Sequence, residues 1–292
     1  MSGSKMKLHA QVHRTSGRQI SSSLAHEAES RTEDRCSSRN KLRSSGARIA
    51  AIYGLIPNQL GFCGPKQELL KNFIIGKLSI PAIIPTLEKF EAAYAYYQLI
   101  ARKNKINSPF NKRVIEAYWL GNEFLDKITA NDLRELITDR FCQPGLLSKK
   151  EAERRVKLIP ENSRPHHSFH VLVLGSITGS VDFTGDTKLK DICRVGWGRV
   201  IQLKKDKLVV WHTPLVGKNN IHFGKAIKKS LNWDKQILPS VKAGEWVSFH
   251  WNYALQKLNE GNIINLHKYT QNTLNSLSHC SDNSTEKINA ES

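Results

Sequence analysis

Hydrophobic and polar positions change their rhythm twice along this 292-residue chain. Residues 1–47 show almost no apolar periodicity, and such a polar segment buries too little surface to offset the entropy of ordering it. It reads as a disordered basic tail. From Arg48 onward apolar residues return at spacings of three and four, the signature of helices packed by one face. Arg48 to Tyr53 predicts a short helix, and Gly54 to Pro65, with its glycines, prolines and Asn58, a structured loop. Pro65 suits the first position of a helix carrying Leu69, Leu70, Phe73 and Ile74 on one face. Pro85 opens the next, where Leu87, Phe90, Tyr94, Tyr97 and Ala101 form a stripe running to Lys103. A helix over Asn111 to Lys127 follows, with Val114, Ile115, Tyr118 and Leu125 inward. Thr129-x-x-Asp132 and Ser148-x-x-Glu151 mark two more helix starts. Residues 166–178, apolar beyond their histidines, predict a buried helix, with a strand through Val171 to Leu174 as the alternative.

Gly179 to Lys190 is polar and reads as a linker, after which the rhythm shortens to two. Cys193 to Val200 is strand-like, with Cys193 opening the segment. Val200 to Leu203 and Leu208 to Trp211 predict two strands around the polar turn Lys204 to Lys207. In Glu245 to Trp251 the alternation puts Val247, Phe249 and Trp251 on one face, and Trp246, Ser248 and His250 on the other. Extended structure continues toward Leu258, and Asn259 caps a last amphipathic helix with Ile263, Ile264 and Leu274. The fold class is therefore α+β: an all-helical domain over 48–180, then a small OB-like β-barrel with a C-terminal helix over 190–276. A polar disordered tail is expected over 277–292.

Composition changes this picture only in part. Hydrophobic residues at 39% and charged residues at 24% are those of an ordinary water-soluble chain. The longest apolar stretch, Phe169 to Gly179, is too short to span a bilayer, so no membrane is expected. The five cysteines, at 36, 63, 142, 193 and 280, are odd in number and contain no C-x-x-C pair. That argues against a disulfide scaffold or a zinc ribbon and for a reducing, cytoplasmic address. A net charge of +18 draws acidic partners. Nine Lys/Arg against four Asp/Glu in the first 47 residues supply part of it.

Candidate chemistry lies in histidine and cysteine. His166-His-Ser-Phe-His170 would put His166 and His170 one helical turn apart on a common face, a spacing that binds metals. The Glu of the zinc-protease pattern is missing, and capping or core roles are the alternative. Cys63, between Phe62 and Gly64, is a further thiolate candidate or a structural loop cysteine. A metal-dependent enzyme built on His166, His170 and a donor such as Cys63 is one reading. A barrel that binds single-stranded nucleic acid through Trp197, Trp211, Trp246 and Trp251 is another.

Leu238, Pro239, Val241, Gly244, Trp246, Val247, His250, Ala254, Leu255, Lys257 and Leu258 form a block of spaced identities. With Cys193 and Gly198-Arg199-Val200, this stretch resembles the HypC/HupF-type chaperones of nickel-iron hydrogenase maturation. The resemblance implies a non-enzymatic accessory protein in which Cys193 is a thiolate donor and His250 a ligand or proton acceptor. It further implies a transient iron fragment carrying cyanide and carbonyl as cargo. The implied partners are an iron-assembly scaffold protein and the hydrogenase large-subunit precursor. Trp197 stands where that family has proline, and Cys193 is internal rather than N-terminal, so only thiolate chemistry carries over. Arg194 and Arg199 are expected to depress the thiol pKa if they lie near it. Ile52-Tyr-Gly54, Pro57-Asn58 to Pro65, Tyr118 to Glu123 and His166 to His170 also resemble an uncharacterised prokaryotic domain family, which implies a boundary near residue 48 and no chemistry.

Overall fold

Helix α1 runs over residues 46–59 in the computed structural model, which describes Met1, residues 46–65 and residues 68–289, with side chains through residue 277. The tail expected over 1–47 lies outside the described residues apart from Met1 and its last two positions, which are already helical. α1 passes through Gly54, Pro57 and Asn58, where a loop was expected. Proline removes the N–H that would reach back four residues, to Tyr53. The helix tolerates it because the Tyr53 carbonyl takes a donor from outside, His250 Nδ1 at 2.9 Å. The Asn58 amide donates to the Cys63 and Pro65 carbonyls at 2.9 and 2.7 Å and folds the next segment back.

Helices α2 (Leu69–Ile74), α3 (Ile80–Glu88) and α4 (Glu91–Lys103) follow. Pro85 lies inside α3 instead of opening a helix, because Pro81 already occupies the first turn, where no N–H is needed. The break falls between Glu88 and Glu91. α5 (Lys112–Trp119) is capped by Asn111, whose side chain accepts from the Arg113 N–H. The helix expected to run on to Lys127 stops at Gly121, at φ 87°, and a 3₁₀ turn, Glu123–Lys127, takes over. A Cβ at Gly121 would come within 2.3 Å of the Tyr269 ring, so the closeness of the last helix also demands glycine. α6 (Ala130–Leu136) carries the Thr129–Asp132 capping box and α7 (Lys149–Lys157) the Ser148 cap, as their spacings predict. α8 (His167–Phe169) runs into a π turn, His170–Leu174, and α9 (Thr187–Cys193) is capped by Asp186.

Strands β1 (Gly196–Leu203), β2 (Lys207–His212), β5 (Ile227–Asn232), β6 (Trp246–His250) and β7 (Tyr253–Leu258) make a mixed five-stranded sheet. The pairing order β1-β2-β5-β7-β6 returns to β1, so the sheet closes on itself. One step of the closure is a single parallel pairing of Asn232 with Tyr253. β3 (Leu215–Val216) and β4 (His222–Phe223) form a separate pair, and α10 (Glu260–Asn289) ends the chain's described part. Asn259 and Asn262 exchange side-chain-to-backbone hydrogen bonds at its start, the cap the sequence predicts. The helical backbone continues past residue 277 to Asn289, where a disordered tail was expected. A well-capped helix propagates at little cost per residue.

Three expectations about the region after residue 179 change. Cys193 is the last residue of α9 and does not open a strand. The expected linker, Gly179 to Lys190, runs into that helix, and the described residues from 46 onward belong to one unit. Extended structure between Trp246 and Leu258 is a hairpin, turned by Trp251 and Asn252 at φ 51° and 62°. Two successive positive φ values match the right-handed twist of the paired strands. Trp251 thereby leaves the face it would share with Val247 and Phe249.

Val247 and Phe249 point inside the closed sheet with Val200, Leu208, Val210 and Leu231. The opposite face of β6 is covered too, and Ser248 and His250 are buried there against α1. Tyr53 reaches over to Ser248, hydroxyl to hydroxyl at 2.7 Å. The main core includes Val195, Trp251, Leu255 and Leu258 from the sheet region along with the helices. Among the described residues, no helix is long and apolar enough to cross a membrane.

Candidate metal centre

Three chain segments deliver the site. α9 ends on Cys193, and the Trp251 N–H donates to the Ile192 carbonyl at 3.0 Å, which ties the β6–β7 hairpin to the end of α9. Just below, a buried ion pair fixes α9: Asp191 Oδ1 accepts from Arg194 Nε at 3.0 Å and from the Leu215 N–H at 2.9 Å. His250 closes β6 with Nδ1 on the Tyr53 carbonyl, the acceptor that Pro57 leaves free. His167 opens α8, its Nε2 2.9 Å from the Cys193 carbonyl and its Nδ1 3.1 Å from the Tyr118 hydroxyl.

The result is a buried trio, His167, Cys193 and His250, whose ligand atoms lie within 4.8 Å of one another. The two imidazoles meet edge to face at 5.2 Å between centroids. Trp119 packs against both, at 4.5 and 5.6 Å. It is held by its own N–H on the Tyr97 hydroxyl at 2.7 Å and by stacking on Tyr53. A cavity of about 520 Å³ adjoins the trio, and Cys63, Phe62, Phe90, Tyr97 and Trp251 are also in its wall.

Burial sets the charge state. The Cys193 thiol is pushed well up by burial, with nearby Cys63 adding to the rise. Burial also lowers His250 to about 4, and His167 well below its usual value, with His250 beside it adding to the drop. Arg194 does not depress the thiol pKa as expected, because its guanidinium is committed to Asp191 and the Thr213 carbonyl. Arg199 donates to the Gly244 carbonyl on the exposed side of the sheet. The trio is therefore a neutral thiol between neutral imidazoles. A cation is the partner that would make it a thiolate, with loss of the proton.

His250 Nε2 is buried and makes no hydrogen bond of normal geometry, with the Cys193 backbone near the ring, while Nδ1–H on Tyr53 fixes the tautomer that leaves a lone pair on Nε2. That atom and the N, S, N donor set fit a borderline or soft transition metal. His167 completes the set on releasing one of its two present partners. Three protein donors leave a coordination position open, as in sites that exchange ligands.

His166 and His170 do not come together as predicted. His166 is the extended N-cap of α8, with Nδ1 accepting from the Ser168 N–H and its ring on Tyr269, so the i, i+4 spacing does not apply. His170 lies in the cavity wall, 3.5 Å from the Tyr96 hydroxyl. Cys63 lines the cavity without joining the trio. His167, between the two histidines singled out, is the member of the trio that sequence reasoning missed. Its signal was the cap: once His166 is the residue before the helix, its ring is engaged by the Ser168 N–H and Tyr269, and His167 takes the first helical position. Of the four tryptophans considered for base stacking, Trp211 is 43% exposed, whereas Trp197 packs on Phe223 and Trp251 is buried on Phe62.

Acid should unfold this protein early. Burial lowers His166 to about 3 and His170, His212 and His250 to about 4, against about 6.5 in the unfolded chain. Lowered folded values mean that the unfolded state binds more protons between these limits. Stability is thus full above about pH 6.5 and declines as pH falls toward 4. The depressed carboxylates Asp132 and Glu151 act in the same direction, but mainly below about pH 4.5. A urea midpoint clearly lower at pH 5 than at pH 7 is expected; an equal or higher midpoint at pH 5 would show the imidazoles charged in the fold.

No curated protein and no solved structure matches the chain. A family model described as a family of unknown function (DUF6390) matches residues 42–284, running unbroken through the helices, the closed sheet and most of α10. The trio, its supporting tyrosines and Trp119 all fall within that match, and the chain belongs to this family of unknown function.

Proposed function

We propose that this chain is a metal-handling accessory protein that holds a transition-metal fragment on Cys193, His250 and His167 and passes it to a client metalloenzyme. The convergence of these three donors from α8, α9 and β6 is the observation that carries the reading. In its sharpest form the protein is a cytoplasmic HypC-like chaperone whose closed sheet is a small OB-like barrel. Its cargo is then an iron fragment with cyanide and carbonyl ligands, received from an assembly scaffold and given to a nickel-iron hydrogenase large-subunit precursor. Two features favour it: Cys193 and His250, the pair singled out by the resemblance, are neighbours, and the thiolate donor suits iron with strong-field ligands. Anaerobic co-purification from cells that make such a hydrogenase tests this form. Wild-type protein should carry infrared bands of bound cyanide and carbonyl and retain its client. Cys193→Ala should lose both with its circular dichroism unchanged. Undiminished client capture by Cys193→Ala would contradict the chaperone reading.

A metal-dependent enzyme is the second reading, favoured by one observation: the cavity beside the trio has room for a substrate. Its donors are those of the trio, since His166 is turned to Tyr269. An enzyme should keep about one equivalent of metal through dialysis, whereas a carrier gives it up.

A further inference from the structure

We infer that the cavity beside the trio is a binding site for a neutral, largely apolar organic molecule that carries a hydrogen-bond acceptor. Size is the first argument. The cavity measures about 520 Å³, and a water-sized ligand takes up about 30 Å³. A metal ion with a few diatomic or water ligands leaves most of that space empty, whereas cavities of roughly 300–1,000 Å³ hold small organic molecules. The wall gives the second argument. Phe62, Phe90, Trp119, Ile177, Val181 and Phe183 supply aromatic and aliphatic surface. Phe90 reaches its place because two neighbours have no side chain: a Cβ on Gly54 would lie 3.0 Å from its ring and one on Gly64 2.6 Å.

Charge and polarity narrow the class. Among the described residues of the wall, Lys89 and Glu91 alone carry formal charges at neutral pH; both are exposed and they are opposite in sign. An anion or cation entering the cavity therefore meets no counter-charge in depth and loses its hydration without return. Outside the trio, one buried polar group of the wall is left without a partner among the described residues. The Trp251 indole N–H is buried without a partner, in a residue that the hairpin holds at φ 51°. A buried donor left unmade is unfavourable, and an acceptor on the bound molecule removes that penalty. His167, Cys193 and His250 share this wall, but the apolar lining and the indole N–H do not depend on a bound metal, so the assignment can be tested on metal-free protein.

Titration of the full-length protein with 1-naphthol, followed by calorimetry, tests the assignment. One molecule per chain should bind, at least tenfold more tightly than the anionic 1-naphthalenesulfonate. Ala93→Phe, which places a ring in the wall, should weaken 1-naphthol at least tenfold. Trp251→Phe keeps a ring but removes the N–H, and should weaken 1-naphthol about tenfold while changing naphthalene less than twofold. Chelator-treated, metal-free protein should bind 1-naphthol with an affinity within twofold of the untreated protein, so failure of the metal reading would not remove this one. Absence of saturable binding, equal affinity for the sulfonate, or binding unmoved by both Ala93→Phe and Trp251→Phe would overturn the inference.

Discussion

His167→Ala is expected to lower the affinity for a transition metal by about a hundredfold or more, although the spacing of the histidines alone does not mark this one above its neighbours. Outer groups that merely orient a ligand are worth about 10–100-fold in metal affinity, and loss of a donor exceeds that range. The donor is one of three, so its removal leaves a thiolate and one imidazole, too few to hold an ion against water and buffer. The same change deletes hydrogen bonds to Tyr118 and the Cys193 carbonyl and costs about 1–2 kcal/mol of stability. His166→Ala is the control. It removes the α8 cap and costs about 1 kcal/mol, but should leave metal affinity unchanged, because His166 faces Tyr269. Competition against a coloured chelator compares the two. An equal loss for both variants, or a loss for His166→Ala alone, would restore the spacing read from sequence and remove the trio.

Asp191→Ala should be the most destabilising single change near the site, at about 3–5 kcal/mol. Arg194 is 1% exposed, and among the described residues its guanidinium has a single anionic partner, Asp191. Asp191 Oδ1 also accepts from the Leu215 N–H, so the substitution strands a buried cation and a buried amide together. Trp197 and Phe223 flank the guanidinium at 5.2 and 5.5 Å and offer their faces, which do not replace a carboxylate. Because this pair sits beneath Cys193, loosening it should also broaden the metal site. Urea denaturation measures the stability loss. A double variant, Asp191→Ala with Arg194→Met, should recover part of it, since the stranded charge is then gone. A loss below about 1 kcal/mol in the single variant would show that water reaches the pair.

Much of the fold was written in local pattern. The capping residues Thr129, Ser148 and Asn259 each start a helix where their spacing indicates, and the β1–β2 turn falls at its lysines. Local signals failed where the deciding partner is distant in sequence. Pro57 and Gly54 read as a loop because the donor that satisfies the Tyr53 carbonyl comes from residue 250. Gly121 ends α5 partly because Tyr269 needs the space. Cys193 reads as the head of a strand since helix α9 is short, and its burial is set by the hairpin and by His167. Two members of the trio, Cys193 and His250, were visible as a pair through the resemblance. The third was hidden because one residue of error in a helix start moves a histidine from the inside of a helix to its cap.

Anaerobic titration with Co²⁺, followed by visible and near-ultraviolet absorbance, tests the trio most directly. The account predicts saturation at one equivalent and a sulfur-to-cobalt charge-transfer band. That band should vanish in Cys193→Ser, while His167→Ala and His250→Ala weaken binding. Absence of a charge-transfer band in the wild-type protein, or a band that survives in Cys193→Ser, would contradict a metal centre at His167, Cys193 and His250.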